Sequence, residues 1–192
     1  MITKTGSSGN NRRLRPLVLL DRDGTINVEV DYLSDPAQLQ LLPGVSQGLK
    51  LLRQAGIPLA IVTNQSGVGR GFFTEETLAK IHDRLEKMLA DQNIKVEGIF
   101  SCPHHPREKC ACRKPLPGMA LKAAAALNGD LSRSFVVGDK PCDIELGKNI
   151  GARTILVRSG YGRNYNFSSL AKPDMVAENM EEAALWILGQ KT

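Results

Sequence analysis

The chain has 192 residues, 42% of them hydrophobic and 23% charged. This is a globular composition with room for one domain and a core that needs no disulfide staples. The net charge is +5, but Lys4, Arg12, Arg13 and Arg15 lie among residues 1–15 with no acid, leaving +1 for the rest, which argues against a nucleic-acid groove. No run approaches the ~20 apolar residues of a membrane span, and the apolar stretch at 17–20 is too short for a signal-peptide core. A cytoplasmic protein is expected, with its four cysteines as thiols or metal ligands.

In chain order, residues 1–15 are polar and basic and are expected to form a disordered arm. Residues 16–20 read as a buried strand ending at Asp21. Residues 43–55 read as a helix with Val45, Leu49 and Leu52 on one face and Gly56 as its stop. A second buried strand covers 57–62. Thr74 caps a helix with Glu75 and Glu76 in its first turn and a buried stripe of Leu78, Ile81, Leu85, Met88 and Leu89. A third strand spans 96–101. An irregular stretch, 102–115, then holds Cys102, Cys110 and Cys112. Helices are expected at 117–127, 143–150 and 180–188, strands at 135–138 and 154–157, a polar loop at 159–173 and an edge strand at 174–177.

This alternation predicts an α/β fold, a parallel sheet with helices on both faces. Ligands bind such sheets beyond the carboxyl ends of the strands. There the sequence places Asp21-Arg-Asp23-Gly-Thr25, Thr63-Asn64-Gln65-Ser66 and Gly138-Asp139-Lys140. Asp21 and Asp23 can face one way from a strand end, and two adjacent carboxylates need a neutralising partner. Magnesium held by oxygens, with Asp139 in its ligand set, would supply it. Asp21 would then attack phosphorus, Asp23 would keep a proton for the leaving alkoxide, and Thr63 and Lys114 would donate to phosphoryl oxygens. Each residue alone is an ordinary turn or cap; their joint placement after successive buried strands carries the reading.

The series Asp21-x-Asp-Gly-Thr25, Thr63-Asn64, Lys114-Pro115 and Gly138-Asp139-x-x-x-Asp143 resembles the four signatures of the haloacid dehalogenase-type phosphatases. The resemblance runs from about residue 17 to residue 157. It implies a Rossmann-like sheet, Asp21 as nucleophile, Asp23 as acid and base, and Thr63 and Lys114 on the phosphoryl group. It places magnesium on Asp21, the Asp23 backbone carbonyl and Asp139, with Asp143 as an outer ligand. Neither the span after Thr25 nor that after Thr63 has room for a large cap domain, so a phosphotransferase, whose caps exclude water, is not expected.

Residues 102–112 hold three thiols and two imidazoles, and three thiolates with one histidine suit a closed tetrahedral zinc site. A surface loop with unpaired thiols and a redox pair of Cys110 and Cys112 are the alternatives open on chemistry alone. The loop is similar to that of a bacterial subgroup of the same family. There the matching zinc ligands are Cys102, His104, Cys110 and Cys112, while His105 is not a ligand. Cys142 is expected to be a small packing residue. The resemblance implies a structural zinc that holds Arg113 and Lys114 at the site, in a single domain over 16–192.

That subgroup includes phosphatases of sugar bisphosphates and of histidinol phosphate. Ser66 and Lys140 resemble the former pattern. It implies a heptose 1,7-bisphosphate losing its 7-phosphate, with contacts from Glu29, Val30, Asp31, Tyr32, Asn64, Gln65, Ser66, Arg113 and Lys140. Histidinol phosphate is the alternative substrate, and a zinc-stabilised nucleic-acid end-binding module is the rival outside enzymes. A bisphosphate needs a second cation for the phosphate that stays, and the guanidinium of Arg113 suits it. The expected partner is a small sugar bisphosphate, with no nucleic acid and no membrane, and the expected state is a monomer.

Overall fold

The structure, a computed structural model, describes residues 14–167 and 171–190. Among these residues, six strands form one parallel sheet in the order β3-β2-β1-β4-β5-β6. They are β1 (Val18–Leu20), β2 (Leu59–Asn64), β3 (Gly98–Cys102), β4 (Phe135–Gly138), β5 (Arg153–Val157) and β6 (Met175–Ala177). The helices are α1 (Val45–Gln54), α2 (Ser66–Gly69), α3 (Glu75–Ala90), α4 (Gly118–Leu127), α5 (Pro141–Asn149) and α6 (Met180–Leu188).

The two-residue period of the strands sorts the core into two layers. Val18, Leu20, Leu59, Ile61, Val137 and Val157 face one way, where α1, α3 and α6 supply Leu49, Ile81, Leu85 and Ile187. Leu17, Leu19, Ala60, Val62 and Val136 face the other way, against Met119, Ala120 and Ala123 of α4 and Leu146 of α5. Burying each Val, Leu, Ile or Met side chain among these stabilises by about 1.5–3 kcal/mol. With both faces covered, the inner strands read as unbroken apolar runs.

The order of strands reverses between β1 and β4, and that switch point opens a crevice at their carboxyl ends. The chain leaves β1 at Asp21 and β4 at Asp139, so both carboxylates stand in it.

Some boundaries differ from those expected. β2 continues through Thr63 to Asn64 because these residues pair with Ser101 and Cys102 of β3. Helix α5 starts at Pro141, and its N-terminus is closed by Lys140 N–H donating to Asp143 Oδ2 (3.0 Å). The short α2 has too few residues for a periodic pattern; its Gly69 N–H donates to Pro103 O (2.8 Å). Most of the expected N-terminal arm, residues 1–13, lies outside the described residues. Arg15, counted in that arm, is instead tied down: its N–H donates to Asn128 O (3.2 Å) and its carbonyl accepts from Asp130 N–H (2.9 Å). Among the described residues, no helix is long and apolar enough to cross a membrane.

Candidate active site

The loop after β1 can lie against Asp139 only because residue 24 is glycine. Gly24 has φ +80°, and a Cβ there would stand 2.3 Å from Asp139 Oδ2, so any side chain would be both strained and obstructed. Asp21, Asp139 and Asp143 are all buried, and one oxygen of each lies within 4.8 Å of the others. Burial and then the charge of Asp21 push Asp139 up to about 8. Burial also raises Asp143, to about 6, although Lys114 opposes the shift. Three buried carboxylates around the single ammonium of Lys114 leave surplus negative charge that a hard divalent cation relieves, and an all-oxygen donor set fits one.

Lys114 is 3% exposed, with Nζ 2.8 Å from Asp21 Oδ1 and 2.7 Å from Asp143 Oδ1. Burial works against its charge, but Asp143 and Asp21 outweigh that and hold its pKa above the ordinary lysine value. Asn64, expected at the substrate, clamps the Lys114 backbone. Its Oδ1 accepts from Lys114 N–H (3.0 Å) and its Nδ2 donates to Lys114 O (3.2 Å). The end of β2 thereby sets the position of the ammonium.

Gln65 links two expected catalytic groups: its Nε2 donates to Thr63 Oγ1 (2.8 Å) and to Asp23 Oδ2 (2.7 Å). Asp23 also accepts from Arg22 Nε (3.1 Å), Arg22 Nη2 (2.8 Å) and Asn27 Nδ2 (3.0 Å). Burial pushes the Asp23 pKa up, yet the charge of Arg22 and these hydrogen bonds outweigh it and hold the group below the ordinary 3.8. In this arrangement Asp23 is therefore an ionised acceptor, which differs from the stored proton expected of it. The reason is Arg22, 1% exposed, whose guanidinium forks onto the neighbouring carboxylate. Sequence reasoning passed over Arg22, although an arginine between two aspartates at the end of a buried strand was a signal.

The other expected contacts line one cavity of about 300 Å³ with Asp21, Asp23, Thr63 and Lys114: Glu29, Val30, Asp31, Tyr32, Asn64, Gln65, Ser66, Arg113 and Lys140. Leu33, Gly67, Phe73, Cys142 and Tyr161 complete it. Two cations beyond Lys114 line this space and differ in state. Lys140 Nζ is 2.6 Å from Glu29 Oε2. Arg113 Nη1 is buried with no hydrogen-bond partner among the described residues.

Cys102, His104, Cys110 and Cys112 converge, with their ligand atoms all within 4.8 Å. Cys102 Sγ is 3.7 Å from Cys110 Sγ and 3.5 Å from His104 Nδ1, which is 3.2 Å from Cys112 Sγ. Two thiolates on a tetrahedral zinc, with bonds of about 2.3 Å, stand about 3.8 Å apart, so the donor set fits. Desolvation acts upward on Cys110, but N–H groups of Arg113 and Cys112 outweigh it and bring the thiol down to about 7. His105 is absent from the cluster, as is Cys142; the latter lines the cavity, where burial pushes its thiol up to about 12.

A sequence profile described as HAD-hydrolase-like matches residues 111–183. The chain is 41% identical over 182 residues to the D-glycero-β-D-manno-heptose-1,7-bisphosphate 7-phosphatase of Yersinia pestis, covering 90% of this chain and 89% of that protein. It is 38% identical to the enzyme of that name from Escherichia coli K12, covering 90% and 88%. The crystal structure of D,D-heptose 1,7-bisphosphate phosphatase from B. bronchiseptica, complexed with magnesium and phosphate, superposes with a TM-score of 0.85 at 37% identity, covering 92% of this chain and 99% of that one. Matches over nearly the whole length on both sides, with the strand-end carboxylates gathered at the switch point, decide the family: the chain belongs to the haloacid dehalogenase-type phosphatases, which are phosphoric monoester hydrolases.

Proposed function

We propose that the chain removes the 7-phosphate of D-glycero-D-manno-heptose 1,7-bisphosphate through a phosphoryl group carried on Asp21, in the synthesis of nucleotide-activated heptose for lipopolysaccharide core. One observation carries the reading. Asp21, Thr63 and Lys114 line a single cavity that Arg113 also lines, with its Nη1 unpartnered among the described residues.

Asp21, paired with Lys114, attacks phosphorus; the bond from phosphorus to the sugar oxygen breaks and an acyl phosphate forms on Asp21. Asp23 gives a proton to the departing alkoxide, for which it must first take one up and leave the Arg22 fork. It then draws a proton from the water that attacks the acyl phosphate, so inorganic phosphate leaves and Asp21 is restored. Thr63 and Lys114 donate to the phosphoryl oxygens as charge develops there. Magnesium would be held by Asp21, Asp139 and the Asp23 backbone carbonyl, with Asp143 outside, and bound there it offsets the charge of carboxylates and phosphoryl oxygens. Cys102, His104, Cys110 and Cys112 would hold a structural zinc that steadies Arg113 and Lys114.

Lys140 is already paired with Glu29, which leaves Arg113 as the cation for the phosphate that stays. A phosphate-release screen with magnesium tests the reading. It should rank the heptose 1,7-bisphosphate above sugar monophosphates and above histidinol phosphate, with the product retaining its 1-phosphate. Preference for histidinol phosphate would reject it.

A further inference from the structure

The turn after β5 enters the cavity with a side chain that has no role in the chemistry above. Residues Gly160–Asn164 form a single 3-10 turn, and its start is fixed to the reaction centre at three points. Ser159 Oγ donates to Gly24 O (2.7 Å). Tyr161 N–H donates to Asp139 Oδ2 (2.8 Å). Gly160 has φ +48°, and a Cβ there would stand 2.3 Å from Asp139 Oδ2 and 2.7 Å from Gly24 Cα. The main chain at Tyr161 is therefore held in register with Asp139, while its side chain lines the cavity and is 51% exposed.

The ring of Tyr161 lies 4.9 Å from Lys140 Nζ, and its hydroxyl is 3.5 Å from Asp31 Oδ1. With Glu29 bound to Lys140, these four side chains form one wall drawn from the loops after β1, β4 and β5. Two carboxylates and one ammonium give that wall a formal charge of about −1 at neutral pH. Such a wall repels a dianionic phosphate. Carboxylates accept from hydroxyls, and an aromatic face packs against C–H groups, so the wall suits the uncharged, hydroxyl-bearing part of a substrate. The hydroxyl of Tyr161, at the limit of hydrogen-bond range from Asp31, is available to such a ligand.

We propose that Tyr161 is a specificity-determining residue whose ring and hydroxyl contact the polyol segment of the substrate. The assignment rests on the sugar-phosphate reading above and adds the residue that reads the carbon chain. The test uses the full chain with magnesium and compares kcat/KM for the heptose bisphosphate with that for acetyl phosphate, which has no polyol, in the native enzyme, Tyr161→Ala and Tyr161→Phe. The loss in Tyr161→Ala should be about tenfold or more larger on the bisphosphate than on acetyl phosphate and should appear mainly in KM, with Tyr161→Phe in between because it keeps the ring. The magnesium concentration for half-maximal rate should stay within about twofold, since the bond to Asp139 comes from the backbone and survives the substitution. Equal losses on both substrates, no loss on either, or a raised magnesium requirement would overturn the assignment. Should the native enzyme prefer histidinol phosphate, the substrate reading falls. The Tyr161 test is then run with fructose 1,6-bisphosphate against acetyl phosphate and keeps the same two outcomes.

Discussion

Arg113 illustrates what single residues offered and withheld. Its type and its place beside Lys114 suggested a second phosphate site, and the structure leaves its Nη1 buried and unpartnered among the described residues. An unpaired buried donor costs free energy until a ligand satisfies it. Arg113→Ala should therefore lower kcat/KM for the bisphosphate about 100-fold, and far less for a monophosphate; equal losses in a paired kinetic assay would show that the guanidinium only offsets local charge. Asp21, Thr63 and Asp139 were legible because buried strands announce where they stop, and Lys114 because a lysine in the loop beside the thiol cluster suits a phosphoryl oxygen. The fork of Arg22 on its neighbour Asp23 had a signal in the sequence, but the bridge of Gln65 between Thr63 and Asp23 and the clamp of Asn64 on Lys114 were not legible. Each depends on a side-chain direction across the cavity, and a linear pattern carries the residue type without that direction.

Elements carry two further predictions. The loop at 102–115 buries little apolar surface, and an irregular segment of that kind gains order from its metal. Cys110→Ser should lower the Tm, release zinc to a chelator and weaken turnover through Lys114; elemental analysis finding no zinc in the native protein, with Cys102, Cys110 and Cys112 all titrating freely, would reject the site. On α3, burial and then the charge of Arg22 lower His82 from 6.5 to about 4, so the fold holds it neutral. Below pH 6.5 the unfolded chain takes up a proton that the folded chain refuses, and stability falls as pH drops from 6.5 towards about 4. Thermal melts at pH 7 and pH 5 should show this loss, and His82→Gln should reduce it; an unchanged slope would place the acid sensitivity elsewhere. The long amphipathic α3 was readable from its stripe and its Thr74 cap; the structure keeps the cap and buries Leu78, Ile81, Leu85 and Leu89, while Met88, at the margin of the stripe, is only half-buried. The four-residue α2 and the 3-10 turn at Gly160–Asn164 escaped because they have no period to detect; tertiary bonds to Pro103 and Asp139 define them.

At the scale of the molecule, strand–helix alternation implied the parallel sheet, but its order was not in the pattern. Only the pairing of β1 with both β2 and β4 puts Asp21 beside Asp139, and that neighbourhood is what makes two ordinary strand ends into a site. Arg15 joins the body through Asn128 and Asp130, so removal of residues 1–13 should leave kcat/KM on small substrates within about twofold of native, whereas a start at Pro16 should also lower the Tm. Every step of the proposed reaction passes through Asp21 as the nucleophile that carries the phosphoryl group. Acid quenching during turnover, followed by peptide mass spectrometry, should find a phosphoryl group on Asp21, and Asp21→Asn should lose it together with at least about 1,000-fold of kcat while keeping the native melting profile. A phosphoryl group on another residue, or an Asp21→Asn enzyme retaining more than about a tenth of the native rate, would contradict it.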